Sequence, residues 1–112
     1  MPWTIENALN DDAIERTEET PTGYSFWLKG IPTEIRVVLA VNPTNCGFNF
    51  YLSHYIHTPT QAGKYCPSRP WGDYEAYALH LAVTAITQHY KEAITAGHKP
   101  NENWLIANQN SI

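Results

Sequence analysis

Between Asp73 and Gly97 the chain carries a single apolar stripe, in which residues recur at three- and four-residue steps: Leu79, Ala82, Val83, Ile86, Tyr90, Ala93 and Ile94. Polar residues are expected on the opposite side: Thr84, Thr87, Gln88, Lys91 and Thr95. This period predicts an amphipathic helix, with Asp73 as its N-cap and Gly97 as the residue that ends it. At about 1.5 Å per residue such a helix is roughly 36 Å long, enough to cross a small sheet.

Three segments before this helix have the composition of β-strands, at residues 24–29, 34–41 and 48–57. The last alternates between apolar and polar residues over ten positions, which is the clearest period-2 pattern in the chain. Short connections between the three favour an antiparallel meander. Residues 13–19 fit either an edge strand or a helical turn, and a strand is favoured. Residues 4–10 predict a short helix that Thr4 caps.

The predicted fold is therefore α+β, with an antiparallel sheet of three to four strands packed on one long C-terminal helix and a short N-terminal helix. A length of 112 residues, of which 43% are apolar and 16% charged, predicts one domain spanning 1–112 and excludes a disordered chain. The cluster Trp104–Ile106 is expected to fold back onto the core, and the chain to fray from Asn108 onward.

The beginning of the chain has neither the basic nor the apolar region of a signal peptide, and no apolar run approaches the roughly 20 residues that span a bilayer. A cytoplasmic location without membrane contact is the expectation. Cys46 and Cys66 could form one disulfide, but a lone pair in a cytoplasmic protein is more often reduced. Both thiols are predicted to be free.

The acidity of the chain is concentrated at its beginning. Residues 1–20 hold six acidic residues and one arginine, for a net charge of −5, whereas the remaining residues carry +1. Glu15, Glu18 and Glu19 are predicted to steer the protein toward a basic partner surface; the alternative is a merely solvated face. The overall charge of −4 argues against a general nucleic-acid binder, which needs clustered Lys and Arg.

Alternation along the strands separates an apolar set, which should face the helix, from a second set on the reverse face: Trp27, Arg36, Tyr51, Tyr55 and His57. Residues 58–72 form a long proline-containing loop that adds Lys64, Tyr65, Arg69 and Trp71. Tyr, Trp and Arg dominate protein-binding hot spots, so these nine residues are the predicted partner-binding set. The alternatives are that the first helix or the Trp104 segment covers the face, and that the loop aromatics only anchor the loop.

No catalytic residue, metal site or cofactor is predicted. His54 and His57 lie three apart on a strand and face opposite sides, and His80 and His89 face opposite sides of the helix. Cys66 lies in no recognisable nucleophile motif. The sequence thus predicts a non-enzymatic protein that binds a protein partner, as an inhibitor, an immunity-type or phage anti-defence-type factor, or an adaptor. Binding of single-stranded nucleic acid by the aromatic sheet face is the alternative, and a small enzyme is the third interpretation.

Overall fold

A computed structural model describes residues 3–44, 47–65 and 70–108. Two helices are present: α1 (Ile5–Leu9) and α2 (Glu75–Thr95), and a 3-10 turn follows at Glu102–Trp104. The strands are β1 (Ile14–Thr20), β2 (Gly23–Leu28), β3 (Ile35–Val41), β4 (Phe48–Leu52), β5 (His54–Ile56), β6 (Trp71–Gly72) and β7 (Leu105–Ala107). The predicted positions Cys46, Cys66 and Arg69 lie outside the described residues.

The α+β architecture predicted from the sequence is confirmed. The main sheet has the order β1-β2-β3-β4-β6, which is an antiparallel meander of five described strands rather than three or four. In its register Phe26 lies opposite Ile35, and Leu39 lies opposite Phe50, so the apolar residues of successive strands share one face. That face packs on α2 and forms the core.

Helix α2 differs from its prediction at its start and in the width of its buried face. The N-cap is Tyr74 and not Asp73, and the cap makes no side-chain hydrogen bond. Gly72 lies against the first turn of the helix, because a Cβ at that position would lie 2.7 Å from the backbone nitrogen of Ala78. The close approach of β6 to the helix therefore requires glycine at position 72.

The predicted end of α2 is confirmed. Gly97 has a φ of +96°, and the amides of Gly97 and His98 donate to the carbonyls of Ile94 and Ala93, each at 3.0 Å. This is the Schellman arrangement of a helix C-terminus.

The apolar stripe was predicted wrongly at two positions. Thr87, expected on the polar side, is buried, whereas Ile94 is 39% exposed. The buried arc of α2 is broader than one stripe because α1 packs against the helix in addition to the sheet. Ile94 lies beyond the covered part, in an open cleft beside Lys29 and Lys91.

The ten-residue strand predicted at 48–57 is divided at Ser53. The Ser53 amide donates to the carbonyl of Arg36 at 2.9 Å, but the Arg36 amide donates to the Ser53 hydroxyl, at 2.8 Å. The Ser53 carbonyl instead accepts the amide of Asn108 at 2.9 Å. The chain thereby leaves the main sheet, and β5 pairs with β7.

The end of the described chain is consequently held rather than frayed at Asn108. Its side-chain amide also donates to the Leu52 carbonyl at 3.0 Å. Trp104 folds back as predicted: it is buried, and its ring meets that of Tyr90 edge-on at 6.1 Å between centroids. The Tyr90 hydroxyl donates to the Lys29 carbonyl at 2.6 Å, which ties α2 to the end of β2.

The loop predicted at 58–72 contains more pairing than its prolines suggest, because β6 lies at its end and Tyr65 bridges to Ile56. The Gln61 side chain accepts the Thr58 amide at 2.8 Å and donates to the Ile56 carbonyl at 3.1 Å. These bonds replace a regular ladder in the first half of the loop.

Replacing a core residue of α2 tests this packing. Ile86 is 1% exposed, and we expect Ile86→Ala to lower the free energy of unfolding by about 2–5 kcal/mol through lost burial and a residual cavity. The matched control is Ile94→Ala on the same helix, which should cost less than about 1 kcal/mol because Ile94 is exposed. Urea unfolding of both variants measures the difference, and equal losses would show that the helix is rotated relative to the sheet.

Candidate binding face of the sheet

One face of the main sheet is turned away from α2, and we call it the open face. Register places on it Arg16 and Glu18 of β1, Ser25 and Trp27 of β2, Arg36, Val38 and Ala40 of β3, and Asn49 and Tyr51 of β4. Helix α1 packs against α2, and Trp104 packs against Tyr90 in the core. Neither of the two segments considered as covers for this face therefore lies on it.

Tyr51 is the most exposed aromatic ring of the open face, with 43% of its surface accessible. It lies opposite Val38 in the register of β3 and β4. Tyr51 and Tyr55 line a depression of ≈ 110 Å³ together with Phe50, Leu52 and Pro70. The two tyrosines are thus brought together although they belong to different sheets, which offers an apolar recess beside an exposed ring.

Lys64 of the loop joins this group from the side. Its Nζ lies 5.5 Å from the centroid of the Tyr55 ring, within the range of a cation–π contact. The predicted residues Tyr51, Tyr55 and Lys64 therefore form one continuous part of the surface.

Trp27 lies on the open face as predicted, but it is only 8% exposed. The guanidinium of Arg16 covers it, with Cζ 3.9 Å from the ring centroid. Next to it, the Ser25 hydroxyl donates to the Glu34 carboxylate at 2.5 Å. Sequence reasoning missed Arg16, although its register opposite Trp27 is what brings the two together. At this end of the open face, the side chains of Trp27 and Ser25 are therefore engaged in contacts within the protein.

The charges of the open face balance. Arg16 and Arg36 contribute two positive charges, and Glu18 and Glu34 contribute two negative charges. Arg36 is exposed, and its backbone is fixed by the bond to Ser53. Lys64 beside Tyr55 adds one further cation, which is far fewer than the clustered Lys and Arg that bind a phosphate backbone.

The remaining predicted residues lie elsewhere. His57 is half-buried, with its amide donating to the Trp104 carbonyl at 2.8 Å and its ring Nε2 3.3 Å from the Gln61 carbonyl oxygen. The ring of Tyr65 lies 4.9 Å from that of His89 on α2. Trp71 lines a separate cleft of ≈ 380 Å³ with Asp73, Tyr77 and Leu81. The predicted residues that the structure describes therefore do not form one site.

Ser53 and His54 form a side-chain pair whose geometry resembles that of a nucleophile and a base. The Ser53 hydroxyl lies 2.8 Å from His54 Nδ1. Burial, and secondarily the charge of Arg36, lowers the pKa of His54. Because the same hydroxyl accepts the Arg36 amide, the pair holds the strand division in place.

No group of three His, Cys, Asp or Glu residues that could hold a metal ion occurs within the described ranges. Likewise, none of the helices in the described part of the chain is long and apolar enough to cross a membrane. No family model, curated protein or solved structure matches this chain. The surface itself is therefore the basis for a functional proposal.

The lowered pKa of His54 predicts a specific pH dependence of stability. Because the native pKa lies below the unfolded value of 6.5, the unfolded chain takes up the proton first as the pH falls. We expect the free energy of unfolding to decrease between pH 7.5 and pH 5.5, and to decrease less in His54→Gln. Urea unfolding at both pH values measures this, and an identical decrease in the variant would contradict it.

Proposed function

We propose that this protein acts by binding a protein partner through the part of the open face around Tyr51. The observation that carries the proposal is an exposed tyrosine beside an exposed arginine, Arg36, on a sheet face that no described helix covers. Tyrosine, arginine and tryptophan are the residues most enriched in interface hot spots. An inhibitor, an immunity-type or phage anti-defence-type factor, or an adaptor would act in this way.

The rigidity of the site supports binding. Tyr51 is on β4, which pairs with β3 along its length and with β6 at Phe48 and Asn49. A ring held on a paired strand loses little conformational freedom when a partner covers it, so less of the contact energy is spent on ordering. The depression between Tyr51 and Tyr55 would receive an apolar side chain of the partner.

The charge balance favours a protein over a single-stranded nucleic acid. Stacking of bases on a sheet is normally combined with a positively charged groove along the backbone of the nucleic acid. On the open face the two arginines are matched by Glu18 and Glu34, and Arg16 already lies over Trp27. Lys64 beside Tyr55 adds a single cation, so the surface around the exposed ring lacks the positively charged groove that single strands require.

Truncation of Tyr51 is the direct test. We expect Tyr51→Ala to weaken partner binding by at least ~2 kcal/mol if the ring is a hot spot, with the unfolding midpoint nearly unchanged. The control is Tyr74→Ala, which removes a tyrosine that is 36% exposed at the start of α2 and makes no capping bond. A partner is captured on the immobilised protein from a lysate of the cells that encode it, identified, and titrated against both variants.

The same capture carried out with nuclease separates the classes of partner. A protein that is retained after nuclease treatment, lost with Tyr51→Ala and kept with Tyr74→Ala supports the proposal. Loss of all bound material after nuclease would favour the nucleic-acid alternative. Full binding by a folded Tyr51→Ala variant would show that the open face is not the site.

A further inference from the structure

The outer edge of β1 is a second surface that the proposed function does not use. Strand β1 stands at one end of the main sheet and pairs with β2 alone among the described strands. All five side chains from Glu15 to Glu19 are exposed. An edge of this kind presents backbone groups that can pair with another strand.

The hydrogen bonds of the sheet identify which backbone groups point outward. The Leu39 amide donates to the Thr22 carbonyl, so the even-numbered residues of the β2 segment bond to β3. The odd-numbered residues Ser25 and Trp27 therefore bond to β1, in agreement with the bond from the Lys29 amide to the Ala13 carbonyl.

The partners of Ser25 and Trp27 in the register are Glu18 and Arg16, whose backbone groups consequently point inward. Alternation then directs the N–H and C=O groups of Thr17 and Glu19 toward the free edge. Two residues supply two donors and two acceptors, enough for four hydrogen bonds to an added strand.

Two features of the edge discourage strand addition, its charged side chains and a bulge, but a strand of opposite charge makes the first an attraction and the second lies at the beginning of β1. A register shift between Ile14 and Arg16 distorts the beginning of β1 but leaves Arg16–Thr20 in continuous pairing with β2. This stretch holds neither proline nor lysine, the residues with which edge strands are commonly blocked.

The charges along this edge are negative on both sides of the sheet. Glu18 lies on the open face, and Glu19 lies on the other face opposite Tyr24. Glu19, Tyr24 and Glu75 line the same cleft, and burial, followed by the charges of Glu75 and Glu19, raises the pKa of Tyr24. The one cation of the strand, Arg16, is engaged with Trp27. Basic side chains on an added strand would meet carboxylates on either face.

A second copy of the chain is a poorer match for the same edge. Antiparallel pairing of β1 with itself about Thr17 would bring Glu15 opposite Glu19 twice. In that register each Arg16 would lie opposite Glu18 of the other copy. Each arginine would then have to contact a glutamate in addition to Trp27. Like charges directly opposite each other destabilise a strand pair.

We propose that the outer edge of β1, between Arg16 and Thr20, binds an extended basic segment of a protein partner as an added β-strand. Backbone bonds to Thr17 and Glu19 supply the pairing, and Glu18 and Glu19 select the charge. Three strand spacings of about 4.8 Å separate this edge from β4, or about 14 Å. Binding at the edge and binding at the Tyr51 surface can therefore be tested independently of each other.

The test uses the full chain and a synthetic ten-residue peptide in which lysine alternates with valine. Saturable binding is measured by amide chemical shifts and by hydrogen exchange, with protection expected at Thr17 and Glu19. Thr17→Pro removes an outward N–H without touching a bond to β2, and we expect it to weaken binding about tenfold or more, since one hydrogen bond and the fit of the added strand are lost. Thr17→Ala, which keeps the amide, should change affinity less than about twofold.

Charge selection is tested separately. The pair of substitutions Glu18→Gln and Glu19→Gln should weaken binding and flatten its salt dependence, whereas Glu92→Gln with Glu102→Gln, at exposed positions outside the sheet, should not. Tyr51→Ala should leave the peptide affinity unchanged.

Several results would overturn the proposal: no saturable binding, equal binding by a peptide with glutamate in place of lysine, or full binding by Thr17→Pro. Concentration-dependent dimerisation that Thr17→Pro abolishes would assign the edge to a second copy instead. If Thr17→Pro does not fold, a peptide N-methylated on alternate amides replaces it. Undiminished binding by that peptide in both N-methylation registers contradicts strand addition.

Discussion

The packing of α2 against one face of the sheet is the contact on which the other features depend. The strands have one apolar face each, and their register aligns these faces so that Phe26, Ile35 and Leu52 all lie in the core. The long helix and the short α1 that packs on it are on the same side. Most apolar residues of the strands thereby lie on one face, and the reverse face carries polar and aromatic residues together with Val38 and Ala40.

Ser53 is the position at which this arrangement departs from a plain meander. The Ser53 hydroxyl accepts the Arg36 amide, which the Ser53 carbonyl would accept in a continuous ladder. That carbonyl accepts the amide of Asn108 instead. Strand β5 can then turn out of the main sheet and pair with β7, which positions Trp104 against Tyr90. The same departure brings Tyr55 beside Tyr51 at the depression, so a local change of hydrogen bonding shapes the candidate binding surface.

The sequence predicts the features that depend on local period and fails where distant contacts decide. Alternation places Trp27, Arg36 and Tyr51 on one face correctly, because register preserves parity along each strand. Alternation does not reveal that Arg16 covers Trp27. Nor does it reveal that the strand is divided at Ser53, because the division depends on Asn108, which is 55 positions further along the chain. Helix α2 likewise begins one residue later than the preference of Asp73 for N-cap positions predicts, with Tyr74 as the N-cap.

The two surfaces differ in the physical basis of their selectivity. In the proposed function, the region around Tyr51 would select mainly by shape and by apolar contact, and Arg36 and Lys64 would add the salt-dependent part of the affinity. The proposed edge site of β1 would select by backbone pairing and charge, and charge acts mainly on the rate of encounter. Because an added strand continues the sheet beyond β1, it also extends the open face past Arg16 and Glu18. A partner strand bound at the edge would thus present its own side chains on the face that carries Tyr51, and one partner of sufficient size could contact both.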